Sequence, residues 1–215
     1  MRYVNNQIIR GLEKTPGVNL LQIAPISGRN ILLVPKCGTR TIRNILLAQQ
    51  GLSKNREAFL HIKYVSKEEL KSKYNSSNTI VPVRHPFDRL LSCWKQKVSN
   101  QRDSGLFYFW QYYPLLRPGM SFADFLRGVS KIPVFMREKH FIPLGYFFVG
   151  SCQANYHFIK LDALDDFFFR IAGVQTDKLA NSTNEVTVSP ESITLFNAEL
   201  RAQYLWELEM YEAMK

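Results

Sequence analysis

The sequence predicts an α/β fold, a central parallel sheet flanked by helices. Two observations lead there. "ILLV" (31–34) is a short apolar block, and "TIVPVRHP" (79–86) opens on another and stops at a proline, the pattern of strands buried on both faces. Each is followed by a stretch of helical periodicity, and two strand–helix units in succession imply parallel strands.

Taken in order, residues 1–29 are polar and mixed and read as a lead-in arm. After the first strand comes the polar loop Pro35-Lys36-Cys37-Gly38-Thr39-Arg40-Thr41. Ile42, Ile45 and Leu46 then recur at helical spacing, with Gly51 placed to end the helix. Ser66 and Glu69 form a capping box for a short helix over 66–73. The second strand stops at Pro86, which suits the first turn of the helix "PFDRLLSCWKQKV". Ser121 caps "SFADFLRGV", and "YHFIKLD" reads as a further strand, followed by a helix near 163–171 that Gly173 ends. Ser189 and Pro190 open a last helix whose apolar residues, Ile193, Phe196, Leu200, Tyr204, Leu208 and Tyr211, keep helical spacing to the end. No linker divides the chain, so 1–215 is expected to be one domain, with 30–215 as its body.

The chain carries a net charge of +10 at pH 7. Residues 1–150 hold 23 Lys and Arg against 8 Asp and Glu, a balance of +15. Residues 151–215 hold 5 against 10, a balance of −5. A basic body of this kind suits an anionic partner. Cys37, Cys93 and Cys152 are odd in number and widely spaced, which fits free thiols in a reducing compartment. No run reaches the ~18–20 apolar residues of a membrane span, and the N-terminus lacks the apolar core of a signal peptide. A soluble, cytoplasmic protein is therefore expected.

A loop between a strand and a helix N-terminus aims backbone N–H groups and the positive end of a helix dipole at one point, a natural phosphate site. Lys36, Thr39, Arg40 and Thr41 add an ammonium, two hydroxyls and a guanidinium there. The Walker pattern fails, because the loop has one glycine and its lysine precedes that glycine. In the second unit Arg84 ends a strand and Ser92 lies about two turns into the next helix, placed to bind another phosphate. Arg89 shares a helix face with Ser92 and fits a salt bridge to a carboxylate as well as it fits a ligand contact.

"VPKCGTRTI" and "VPVRHPFDRLLSCW", about 48 residues apart, resemble the 5′- and 3′-phosphosulfate motifs of the sulfotransferases that use 3′-phosphoadenosine 5′-phosphosulfate (PAPS). The likeness is closest to the Golgi carbohydrate sulfotransferases, and weaker similarity runs on through "KHFIPL" (139–144), "FIKLDALDDFFFRIAG" (158–173), "NST" (181–183) and the last helix. The resemblance implies a P-loop-kinase-like sulfotransferase fold that moves a sulfuryl group from PAPS to an acceptor hydroxyl without a metal, leaving PAP. Lys36 would meet the 5′-phosphosulfate. Cys37, Gly38, Thr39, Arg40 and Thr41 would cradle the 5′-phosphate, and Arg84 and Ser92 would hold the 3′-phosphate. Three positions depart from the family pattern: Arg40 stands for Ser or Thr, Leu144 for a glutamine, and Asp162 for a glutamate.

The acceptor hydroxyl needs a base. The resemblance implies His61, spaced before the second strand as in some glycan O-sulfotransferases, or His140 in the H-x-x-P segment, with Glu57 as a carboxylate alternative. His85 reads as part of a turn and His157 as a core histidine. The aromatic block 107–113 reads as packing or as a platform for sugar rings. The expected partner is a carbohydrate or other hydroxyl-bearing acceptor, acidic ones included; no nucleic acid is expected. Two other classes stay open on the residues alone: a nucleotide kinase or NTPase with a divergent phosphate loop, and a non-catalytic polyanion-binding module.

Overall fold

The computed structural model describes residues 21–52, 59–99, 113–148, 155–174 and 188–214. Its centre is a five-stranded mixed sheet of β1 (Leu21–Ile26), β2 (Arg29–Leu32), β3 (Lys63–Val65), β4 (Thr79–Val83) and β5 (His157–Lys160). The order across the sheet is β3-β1-β2-β4-β5. β2, β4 and β5 pair in parallel, as the two strand–helix units imply. β1 pairs antiparallel with both β2 and β3, so the sheet is parallel only in part.

That edge corrects one expectation. The later part of the supposed arm, 21–29, is a strand and a hairpin turn. Ser27 and Gly28 both adopt left-handed φ, 49° and 75°, the conformation of a two-residue turn whose twist matches the strands it joins. Alternate residues of β1 then serve both faces: Leu21 and Ile23 join one core, Ala24 and Ile26 the other.

The strands are buried on both sides because helices cover both sides. On one face lie α1 (Thr39–Gln49) and α6 (Leu164–Ala172), whose Ile42, Ile45, Leu46, Phe167 and Phe168 pack on Ile31, Leu33 and Ile80. The opposite face holds Leu32, Val81 and Val83 against α2 (Lys67–Lys73), the short α5 (Gly145–Phe148) and α8 (Leu205–Ala213). A third cluster joins α3 (Pro86–Trp94) and α4 (Phe122–Lys131) to the C-terminal helices through Leu90, Phe125, Val129, Phe196 and Tyr204.

Local signals set the helix ends. Ser66 and Glu69 complete both hydrogen bonds of the capping box, at 3.2 and 3.0 Å. Ser121 and Ser189 cap α4 and α7 (Pro190–Leu195), and Gly173 ends α6 at φ 62°. The last helix is not one rod. α7 passes into a π turn at Phe196–Leu200, a 3₁₀ turn at Arg201–Tyr204, and then α8. Phe196, Leu200, Tyr204 and Leu208 are all buried, and a row at a strict period of four drifts ~40° per step around a 3.6-residue helix. The wider π turn takes back part of that drift, and Ile193, outside the row, is left exposed. Among the described residues no helix is long and apolar enough to cross a membrane.

Arg89 of α3 and Glu207 of α8 form an ion pair with both side chains 0% exposed. Arg89 Nε and Nη2 donate to the two carboxylate oxygens at 3.0 and 3.1 Å. Nη2 also donates to the Ile142 carbonyl at 2.8 Å and Nη1 to the His140 carbonyl at 3.4 Å, while Glu207 accepts the Leu144 N–H at 2.9 Å. Burial alone would lower the Arg89 pKa, but Glu207 and Tyr204 outweigh it and raise the value. Of the two readings of Arg89, the structure has the salt bridge. Removing one member of a fully buried pair leaves an uncompensated charge, at about 3–5 kcal/mol. Glu207→Gln is therefore expected to lower the urea midpoint by roughly that much stability. The double variant Arg89→Met with Glu207→Met should lose clearly less than the two single losses combined.

Candidate functional site

The two polar loops leave the carboxyl ends of neighbouring strands, β2 and β4. Their pairing runs through Asn30–Thr79 and Ile31–Ile80. Beyond it β4 carries Pro82, which has no N–H to donate, while the pairing of β4 with β5 continues to Val83. The crevice at the carboxyl ends of parallel strands is where open α/β sheets take their ligands.

The first loop turns sharply. Cys37 N–H donates to the Val34 carbonyl at 3.1 Å, and Lys36 holds a left-handed φ of 69°. Gly38, the N-cap of α1, is left-handed at φ 77°, and a Cβ there would lie 2.7 Å from Leu164 Cδ2. With glycine at the cap, no side chain caps α1, and its first turn carries no acidic residue. Ile42 N–H bonds back to Gly38 at 3.0 Å, so the N–H groups before it have no partner within the helix. Thr41 Oγ1 is buried and has no hydrogen-bond partner. Donors and a hydroxyl thus converge where the helix dipole is positive, and such a set fits a phosphate. Arg40 stands exposed at the rim.

Lys36 Nζ donates to Gln96 Oε1 at 2.8 Å, in the π turn (Lys95–Ser99) that continues α3. Burial lowers the Lys36 pKa, and Lys97 and Arg84 push it the same way. The structure therefore brings Lys36 of the first motif together with Arg84 of the second. Ser92 lies on the same α3, buried, and Arg84 is half-buried at its N-terminal end. Cys37 packs with Val34, Val81 and Val83, and burial pushes its thiol up to about 12. Cys93 is raised likewise to about 12. Neither is a nucleophile at neutral pH.

The histidines separate. His140 Nδ1 lies 2.6 Å from both carboxylate oxygens of Glu138, and its backbone N–H donates to Oε2 at 3.0 Å. Burial would raise the Glu138 carboxyl, but His140 outweighs it and holds the group at about 2. Burial, with Lys97 and Lys139, outweighs Glu138 at His140 and holds the ring below its ordinary value. The charge of Lys97 lowers the pKa of both His140 and Lys36. His61 precedes β3, the outer strand beyond β1, and lies at that strand's amino end, whereas Lys36 and Arg84 leave from carboxyl ends. His85 meets Tyr211 edge-on at 5.6 Å. His157 is exposed, stacked on Phe167, and not a core histidine. Leu144 is buried and Asp162 exposed. Glu57, Cys152, residues 107–112 of the aromatic block and the "NST" segment lie outside the described residues.

Glu207, Gln96 and Glu138 were missed by sequence reasoning. Glu207 alone left a trace, as a carboxylate on the buried stripe of α8 between Tyr204 and Leu208.

An α/β sheet with polar loops at the carboxyl ends of adjacent parallel strands is an architecture that takes its ligands in the crevice above those strands. More narrowly, the model described as the sulfotransferase family matches residues 30–204, and the chain belongs to that family. No curated protein and no solved structure matches the chain.

Gly38→Ala tests the loop. Left-handed φ costs a non-glycine residue about 1–2 kcal/mol, and the added methyl must displace the Leu161 and Leu164 side chains. Urea unfolding is expected to show a loss of at least that size.

Proposed function

We propose that the protein transfers a sulfuryl group from PAPS to a hydroxyl of a carbohydrate acceptor. The observation that carries this reading is the uncapped α1 N-terminus, with Thr41 Oγ1 buried and unpartnered, set beside Lys36 and Arg84. A 5′-phosphate would take its hydrogen bonds from the Gly38–Thr41 segment. Arg84 and Ser92 would hold a 3′-phosphate, the group that separates PAP from ADP. Bound PAPS supplies the activated sulfuryl group. Lys36 would stabilise the charge that builds on the phosphate oxygen as the bond to sulfur breaks. Of the two histidines, His140 is the better supported base, since Arg89 of the motif helix holds its carbonyl and Glu138 its ring, while His61 lies at the amino end of β3. The carbohydrate preference rests on the resemblance to Golgi-type enzymes, and the basic body suits an acidic glycan.

Thermal unfolding with PAP, ADP and ATP, with and without Mg²⁺, tests the donor site. At ligand ~100-fold above Kd, binding adds about 2.7 kcal/mol. A Mg²⁺-independent rise in Tm with PAP, absent with ADP and lost in Lys36→Ala and Arg84→Ala, is expected. A shift with ATP and Mg²⁺ but not PAP would make the protein a kinase, and no shift with any nucleotide would leave a polyanion-binding module.

Transfer of radiolabelled sulfate from PAPS to a panel of desulfated glycosaminoglycans and neutral oligosaccharides tests the base. His140→Ala is expected to lower kcat by roughly 10²–10⁴. A base must be neutral to act, so a depressed His140 pKa keeps the enzyme active further into acid than an ordinary histidine would. Because Lys97 lowers that pKa, Lys97→Ala should move the acid limb of the kcat profile to higher pH. Full activity in His140→Ala, with loss in His61→Ala, would give the role to His61.

A further inference from the structure

Glu138 sits in a turn whose geometry exceeds what a structural cap needs. Its carbonyl accepts the N–H groups of Phe141 and Ile142 at 3.0 and 2.9 Å, and its carboxylate accepts the His140 N–H. Those bonds suffice to close the turn. Yet both carboxylate oxygens also lie 2.6 Å from His140 Nδ1. The far side of the turn is fixed independently, by Arg89 on the carbonyls of His140 and Ile142. The pair is 18–19% exposed, so the ring keeps an open edge.

We propose that Glu138 is a positioning residue that fixes His140 as its Nδ1–H tautomer and leaves Nε2 bare as the proton acceptor. The assignment rests on the sulfotransferase reading above, with His140 as base. A carboxylate has no hydrogen to donate, so Nδ1 must carry the proton, and a neutral imidazole then has its lone pair on Nε2 alone. In the transfer step the acceptor O–H proton passes to Nε2 as the acceptor oxygen bonds sulfur. The sulfur–oxygen bond to the phosphate breaks, and its electron pair stays on the phosphate oxygen beside Lys36. The imidazolium that results faces the Glu138 carboxylate. It also faces Lys97 from the π turn after α3 and Lys139 from its own turn, which favour release of the proton. Cys93 of α3 and Tyr113, the other titratable groups near Glu138, are raised by burial first, with Glu138 adding to it, and stay protonated at neutral pH.

The test is long-range ¹H–¹⁵N spectroscopy of the full chain labelled at histidine, across a pH series. With four histidines in the chain, the His140 signals are assigned by their loss in His140→Gln. At neutral pH the wild-type ring is expected to show a protonated Nδ1 and a bare Nε2. In Glu138→Gln the amide oxygen still accepts the His140 N–H, so the turn persists. The ring should then populate the Nε2–H tautomer, and its titration should move to lower pH, because a charge favouring the imidazolium is gone. A wild-type ring protonated on Nε2, or a Glu138→Gln spectrum matching wild type, overturns the inference. Neither result touches donor binding, which the PAP-induced rise in Tm reads separately; an absent rise would sink the sulfotransferase reading and leave the tautomer result standing.

Discussion

One buried ion pair sets the relation among three parts of this chain distant in sequence. Arg89 belongs to the helix of the second motif, Glu207 to the last helix, and the backbone groups they share to residues 140–144. Dehydrating both charges is expensive, and their mutual attraction alone does not make such a pair stabilising. What makes it tolerable is completeness, since the guanidinium also meets two carbonyls and the carboxylate a backbone N–H. Glu207 thus gives the acidic C-terminal stretch a structural purpose. It supplies the counter-charge for a basic body that has none to spare at this point.

The position of the site follows. Helices on both faces force the strands to be apolar throughout, so polar chemistry is confined to strand ends. β2 and β4 part where Pro82 removes a donor, and the loops above them carry Lys36 and Arg84. Holding these two cations together is unfavourable without an anion. Burial is the main cause of the lowered Lys36 pKa, with Lys97 and Arg84 adding to it, and in the proposed function a bound phosphate relieves it. Lys36 pays in backbone terms as well, with a left-handed φ that a non-glycine residue keeps only where its surroundings dictate it.

How much of this was legible depended on whether the signal was local. Ser66, Ser121, Ser189, Pro86 and Gly173 act within a few residues of themselves, and each lies where its chemistry placed it. The two motif loops were equally readable, because strand, turn and helix are adjacent in the chain. The antiparallel edge was not read, although Ser27-Gly28 carried a turn signal. β3 has only three residues, too few to show a period. The π turn was hidden for a different reason: a four-residue row looks helical until its drift is counted. Most opaque were pairings across long separations, such as Arg89 with Glu207, 118 residues on. Composition records that such charges exist and says nothing of which ones meet.

The same guanidinium joins the two halves of the chemistry. Ser92, proposed for the 3′-phosphate, lies one turn from Arg89 on α3, and Arg89 holds the carbonyl of His140. One helix therefore carries the proposed donor-side contact at one point and holds the turn of the proposed base at the next. The π turn at the end of that helix adds Gln96 to Lys36 and Lys97 to His140. In the proposed reaction Lys36 and His140 act on opposite sides of one transferred group, so their separation has to be fixed more tightly than two independent loops would allow. Hydrogen bonds from Lys36 to Gln96 and from Arg89 to the His140 carbonyl attach both to α3 and its π turn, and meet that requirement. It also explains why an arginine at this position is buried rather than aimed at the ligand: its work is to hold the distance.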